Sequence, residues 1–322
     1  MKHALRGVAL AAGLVLGTAA AHAEAWPTRP VTMVVPFTAG TTSDVLGRAL
    51  AEHLGRKLGQ PVVIENRGGA GGNIAAGAVA KAQPDGYTIL LATTGQAATN
   101  KLMYRQISFD PQQDFAPVAL VGKSPVVVVA GLESPAKSLK EAIDYAKDNP
   151  EKLTVGYPGN GTLGHITGVL LLQRTGIKMK QVQYRGTTQI ITDIMGGHID
   201  IAMDSMGGYV PNILEGNIKA LAVAGHTRWP SLPDVPTVAE VGLPGFEASV
   251  WYALLAPAGT PPDIIARLNA GTNEFLDTPE GKAMFAKLNI EGAGGTPEDL
   301  KAFIDAEIQK WAPIIKSADI KF

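Results

Sequence analysis

The residues best placed to do chemistry lie in Pro30 to Leu50, PVTMVVPFTAGTTSDVLGRAL. Ala39-Gly40 lets the backbone approach a ligand closely, and Thr41, Thr42 and Ser43 supply hydroxyls and a candidate helix N-cap. A helix start leaves about four backbone N–H groups without intrahelical partners and carries a partial positive charge. A small carboxylate or phosphate can rest there without any arginine. Asp44 stabilises the dipole of that helix. An acid beside an anion site also calls for a second role, such as holding turn amides or a polar group of the ligand. An ordinary strand, turn and helix would read the same from this stretch alone.

Two later turns share the design: Pro158-Gly159-Asn160-Gly161-Thr162 and Arg185-Gly186-Thr187-Thr188, each between a short strand and a helix. Tyr184-Arg185-Gly186 can bring a cation to a carboxylate, or Arg185 is simply exposed at a strand end. His165, just inside a helix start, either faces a cleft or packs and caps. Other chemistries find less support. Gly159-Asn160-Gly161-Thr162-Leu163-Gly164 matches G-x-G-x-x-G, yet positions 177–183 lack the acid that binds ribose in dinucleotide sites. Ser205, in Met203-Asp204-Ser205-Met206-Gly207, lacks the first glycine of a nucleophile elbow, and nothing in the sequence gives a reason to pair it with a histidine. His53, His165, His198 and His226 show no metal-ligand spacing, and there is no cysteine, which excludes disulfides and thiolate chemistry. Trp251 and Tyr252 read as core of a strand rather than as a stacking platform.

The elements that position these turns follow from periodicity. Val31 to Val35 is a buried strand ended by Pro36, and 43–58 is a helix closed by Gly59. Pro61 to Glu65 is a strand, 66–72 a glycine-rich loop, 74–82 a helix and 87–92 a strand leading into Thr93-Thr94-Gly95-Gln96. This βαβαβ order builds a parallel sheet whose ligands collect beyond the carboxyl ends of its strands. Strands at 115–121 and 124–129 lie so close together that the chain crosses there into a second α/β series. That series has helix 139–148 capped by Ser138 and Glu141, strand 153–157, helix 163–175, strand 182–184, helix 189–195, strands 199–203 and 218–224, and a short helix at 209–214. Val250 to Leu255 returns to the first domain. Thr260-Pro261-Pro262-Asp263 and Thr296-Pro297-Glu298-Asp299 read as duplicate helix starts with threonine caps, and Pro313 is placed to bend the last helix.

Lys2 and Arg6, the apolar run Val8 to Ala21 and Ala21-His22-Ala23 form a secretory signal peptide, residues 1–23, so the periplasm is the expected destination. Removing Lys2 and Arg6 from the 28 basic residues leaves 26 against 29 acidic, a net charge of −3 that does not favour nucleic acid. The remaining length exceeds the usual single domain, and 46% hydrophobic residues suffice for two cores. The expected division is 24–123 with 248–322 in one lobe and 124–247 in the other.

Seven ordered motifs carry a resemblance. They are Val35-Pro36-Phe37-x-Ala39-Gly40 with Asp44 and Arg48, Glu65-Asn66-Arg67-x-Gly69-Ala70-Gly71-Gly72-Asn73, Pro84-Asp85-Gly86-Tyr87-Thr88, Asp114-Phe115-Ala116-Pro117-Val118, Pro158-Gly159-Asn160-Gly161-Thr162, Tyr184-Arg185-Gly186 and Leu232-Pro233-Asp234-Val235-Pro236-Thr237. Over essentially the whole mature chain the sequence resembles the Bug family, the periplasmic solute receptors of tripartite tricarboxylate transporters. The resemblance implies an α/β, two-lobed, type II-like periplasmic binding protein. Each lobe would be a mixed, mainly parallel sheet flanked by helices, hinged around a cleft. It also implies a receptor rather than an enzyme, a small carboxylate ligand, membrane transporter subunits as partners, no cofactor and no metal, with a monomer expected. An exported enzyme acting on a small organic acid is the alternative. Family members hold the ligand carboxylate with the turn after the first strand and the turn at 185–188, partly through ordered waters. Where many have a second glycine this chain has Thr41, so the grip here can use a hydroxyl or another backbone path. The expected ligand-binding residues are Phe37, Ala39, Gly40, Thr41, Thr42, Asp44, Thr94, Asn160, Thr162, His165, Tyr184, Arg185, Gly186, Thr187 and Asp204. Nothing in the sequence chooses among citrate-like, dicarboxylic, amino and aromatic acids.

Overall fold

The computed structural model describes residues 26–321, so the signal-peptide expectation lies outside the described residues. Strand β1 (Val31–Val35) is buried at four of its five positions, as an apolar β-branched run inside a sheet must be. Helix α1 (Thr42–Leu58) follows, capped by Thr41 and closed by Gly59 at φ 76°, where a left-handed residue is needed. The chain continues through β2 (Val62–Asn66), α2 (Asn73–Ala80), β3 (Thr88–Thr93) and α3 (Asn100–Met103). Strands β2, β1 and β3 pair in parallel, in that spatial order.

The two strands expected at 115–121 and 124–129 are one strand, β4 (Phe115–Ala130), unbroken for 16 residues. The second α/β series then runs α4 (Leu139–Asp148), β5 (Thr154–Tyr157), α5 (Leu163–Thr175), β6 (Lys180–Gln183), α6 (Thr187–Met195), β7 (Ile201–Ser205), α7 (Val210–Leu214) and β8 (Lys219–Val223). The chain returns by β9 (Ser249–Pro257) and ends in α8 (Pro262–Asp277), α9 (Pro279–Leu288), β10 (Glu291–Gly294) and α10 (Pro297–Ser317). Residues 115–125 of β4 run antiparallel to β9, and 120–123 to β10, inside the first sheet. Residues 126–130 run antiparallel to β7 and β8 inside the second sheet, where β5 pairs in parallel with β6 and β7. Both sheets are thus mixed, parallel where βαβ units build them and antiparallel around β4 and β9. The register of β4 on β9 shifts twice, near Pro117 and Leu120. Such irregularities increase twist and let one strand serve two sheets. The protein is therefore two-lobed, with β4 passing from one lobe into the other and the chain returning just before β9.

Other departures have local causes. The expected cap Thr260 donates its hydroxyl to Pro257 O instead, and Pro261 takes the cap position without a side-chain bond. Thr296 makes the full capping box with Asp299. Pro313 lies inside α10, which continues to Ser317. The polar segment after β3 becomes a buried π-helical turn, Gly95–Thr99, because Gln96 accepts from Thr93 N–H and donates to Gly71 O.

Glycine sets how closely a helix can lie on the second sheet. A Cβ at Gly164, in the first turn of α5, would sit 2.4 Å from Met203 O and 3.1 Å from the Asp204 Cα. Gly164→Ala should therefore push α5 off β7 and cost about 1–3 kcal/mol, as overpacking does. Chemical denaturation measures this, and an unchanged midpoint would show that α5 is free to shift.

Candidate functional site

The three turns singled out by sequence face one another across the space between the lobes. In the first, Gly40 has φ 84°, a left-handed conformation costly for other residues, and its N–H donates to Asp44 Oδ2 at 2.9 Å. Asp44 is buried and also accepts from Arg48 Nε at 3.1 Å and Asn66 Nδ2 at 3.0 Å. Burial alone would raise its pKa, but the bonds from Arg48, Gly40 and Asn66 together hold it below the usual carboxylate value. The acid thus ties the turn and the helix start into one rigid piece. Thr41 Oγ1 accepts from Asp44 N–H and donates to Thr38 O, so both its functions are internal.

The second turn repeats this arrangement: Thr162 Oγ1 caps α5 through His165 N–H and donates to Gly159 O. The third turn differs. Gly186, before α6, has φ 169°, ordinary extended backbone, and no side chain caps the helix. The first N–H groups of α6 are consequently without a side-chain acceptor, the condition for receiving an anion.

An inner pocket is lined by Phe37, Thr41, Thr42, Ser43, Thr93, Thr94, Pro158, Thr162, Leu163, Gly164, Gly186, Thr187, Asp204, Ser205, Val250 and Tyr252. The cavity they enclose measures about 50 Å³, a narrow slot. None of the lining residues is Lys, Arg or His. The walls offer hydroxyls: Tyr252 OH lies 3.2 Å from Ser205 Oγ, and Thr94 Oγ1 accepts from Trp251 N–H. Asp204 is buried in this wall and accepts from Thr187 Oγ1 and Ser205 N–H, each at 2.6 Å, and from Tyr209 OH at 3.4 Å. Burial raises its pKa to about 6 despite those three bonds.

Phe37 and Pro158 also border an outer vestibule, which measures about 640 Å³ and is lined by Thr38, Gly68 to Gly72, Tyr104, Gly159, Asn160, Gln183, Tyr184 and Arg185. Tyr104 OH donates to Asn160 O at 2.8 Å across its mouth. Of the expected residues, Phe37, Thr41, Thr42, Thr94, Thr162, Gly186, Thr187 and Asp204 meet in the slot, and Asn160, Tyr184 and Arg185 in the vestibule. Ala39 and Gly40 are exposed and line neither, and Asp44 faces its own turn. Tyr184 OH donates to Asp193 within its lobe. Ser43, Ser205 and Tyr252 join the slot without having been singled out as ligand-binding. The signal for Tyr252 was alternation: adjacent residues on a strand face opposite ways, so Trp251 and Tyr252 cannot both be core on one face. Among the described residues, no group of three or more His, Cys, Asp or Glu side chains is arranged to hold a metal ion.

His165 is buried behind the second turn, its Nδ1 3.4 Å from Gly161 N–H and its ring edge-on to Tyr157 at 5.2 Å. Burial lowers its pKa from 6.5 to about 4. Between those values the unfolded chain binds a proton that the folded protein refuses, so this residue lowers stability as pH falls through the window. His165→Gln should therefore lose less stability than the wild type on acidification from pH 6.5 to 4. Parallel curves in urea titrations at several pH values would contradict this.

With this geometry in hand, comparison with known proteins is informative. Residues 46–320 match the family described as "Tripartite tricarboxylate transporter family receptor". Protein BugT of Bordetella pertussis is 36% identical over 300 residues, covering 93% of this chain and 92% of that one. Among solved structures, R. palustris Rpa4515 with adipate superposes with a TM-score of 0.88 at 38% identity, covering 92% of this chain and 99% of that one. MatC (Rpa3494) from Rhodopseudomonas palustris with bound malate gives 0.86 at 34% identity, covering 90% and 100%. The two-lobed α/β architecture is shared with these proteins. The chain belongs to the tripartite tricarboxylate transporter receptor family, the group that includes the Bug proteins.

Proposed function

We propose that this protein is a periplasmic receptor that closes its lobes on a small carboxylate and passes it unchanged to membrane subunits of a tripartite tricarboxylate transporter. The observation that carries this reading is the uncapped start of α6, opening on a slot walled by hydroxyls and bare of cations. Each charge-assisted bond from such neutral donors is worth about 1.5–3 kcal/mol, so two or three can hold a carboxylate. The similar proteins solved with adipate and malate support the ligand class. In this reading the lobes comprise 24–123 with 248–322, and 124–247, and the receptor works as a monomer. Arg185, exposed at the vestibule, meets the far end of a longer ligand rather than the gripped carboxylate.

A panel of mono-, di- and tricarboxylates, read by thermal shift and by product formation, tests the proposal. At least one acid should raise the melting temperature without being converted. Turnover of a bound acid would make the protein an enzyme, and no stabilisation by any acid would remove the ligand class.

Closure has its own test, since the bond from Tyr104 to Asn160 spans the two lobes. Tyr104→Phe removes one hydrogen bond of the closed form, worth about 0.5–1.5 kcal/mol, without touching the slot. Affinity should fall about two- to tenfold, chiefly through faster release, and scattering of the unliganded protein should report a larger radius of gyration. Unchanged affinity and radius would mean that the bond does not discriminate open from closed.

A further inference from the structure

Asp204 is the one carboxyl in the slot wall, and it sits where an anion is to be bound. Its neighbours are all neutral. Thr187 reaches it from α6, Ser205 N–H from its own strand and Tyr209 from the approach to α7, and α5 lies so close that a Cβ on Gly164 would stand 3.1 Å from its Cα. Tyr252 of β9, beside Ser205, and Tyr184, which donates to Asp193 of α6, complete the surroundings. Burial keeps these three phenols protonated. No Lys, Arg, His or second acid contributes to the titration of Asp204. Two features then conflict with carboxylate binding. Beside a bound anion, an ionised Asp204 would place a second uncompensated negative charge in a narrow slot, a large cost. At 2.6 Å it also takes the hydrogen of Thr187, a hydroxyl at the uncapped start of α6.

We propose that Asp204 takes up a proton from solvent when a carboxylate enters the slot, and that Thr187 relays the change to the ligand. This rests on the carboxylate reading above and deepens it. Once protonated, the carboxyl donates its O–H to Thr187 Oγ1, and the threonine hydrogen turns to the bound anion. One negative charge and one proton arrive together, so the charge of the slot does not change. The raised pKa of Asp204, about 6, leaves the empty slot ionised at neutral pH yet close to protonation. Asp204 is thus a positioning residue that acts through Thr187.

The test is calorimetric titration of the full chain with adipate and with malate from pH 6.5 to 8.5, in buffers of different ionisation enthalpy. Each probe should bring about one proton into the wild-type complex, and Kd should weaken by up to about tenfold per pH unit. Asp204→Asn, whose amide permanently donates to Thr187, should bind without proton uptake, with flat pH dependence, and at least about tenfold more tightly than the wild type at pH 8. Thr187→Ser, keeping the hydroxyl, should retain the wild-type pH dependence. A purely structural Asp204 predicts weaker binding by Asp204→Asn and no proton uptake by the wild type, and that result overturns the relay. So does uptake that persists in Asp204→Asn. If neither probe binds, the carboxylate reading loses support, and the proton site is judged from melting alone. Asp204→Asn should then melt above the wild type at pH 8, with the difference shrinking as pH falls from 6 towards 4, and a difference independent of pH would refute it.

Discussion

The antiparallel pairing of β4 with β9 is the constraint on which the rest of the molecule depends. Residues 115–125 pair with 257–249, and the chain then enters the second sheet without a break. At the crossing, Val126 N–H donates to Ala248 O, Ala248 N–H to Ala224 O and Ala224 N–H to Val126 O, a closed ring of backbone bonds. The three turns that border the slot stand after β1 in one lobe and after β5 and β6 in the other. Ligand geometry is therefore set by how these two strands hold the sheets relative to each other. Open α/β sheets place ligands beyond the carboxyl ends of their strands. Here two such ends face across one slot.

Within that frame, the two buried acids next to the turns behave in opposite ways for one physical reason. Asp44 accepts from a guanidinium, an amide side chain and a turn N–H, which together outweigh its desolvation. Asp204 is bonded only by neutral hydroxyls and one N–H, and desolvation wins. The first is a fixed charge that shapes a turn, the second a charge held close to neutralisation. Sequence spacing shows the first, since Arg48 lies four residues on in the same helix, but not the second, whose partner Thr187 meets it only in the fold.

Much of the fold was legible because the physics was local. The apolar run 31–35, the cap and glycine stop of α1, the Ser138 cap and the capping box at Thr296 are encoded within a few residues. The continuity of β4 was not, since Gly122 and Pro125 read as breaks in a strand and only pairing on both sides sustains it. The Thr260 cap failed because a nearby carbonyl competed for the hydroxyl. The buried layer from Thr93 to Asn100 was hidden because its side chains are held by polar bonds. Gln96 and Asn100 both donate to Gly71 O, fixing the glycine loop of the vestibule. In the site, the turns were readable from hydroxyls and glycines, whereas Tyr252 was not, because a cleft-facing strand residue resembles a core one.

The indole groups have a consequence of an optical kind. Trp251 and Trp311 both donate to Glu307 Oε2, at 3.0 and 3.1 Å, and Trp251 packs edge-on against Phe303, so β9 is pinned to α10 just short of the crossing. Their surroundings lie within one lobe. Trp229 instead borders a second groove that joins Arg228 to Ser231 of one lobe with Phe285 to Glu291 of the other. Trp26, edge-on to Tyr87, also lies away from this groove. Of the four tryptophans only Trp229 borders the seam, and movement between the lobes is written in its emission.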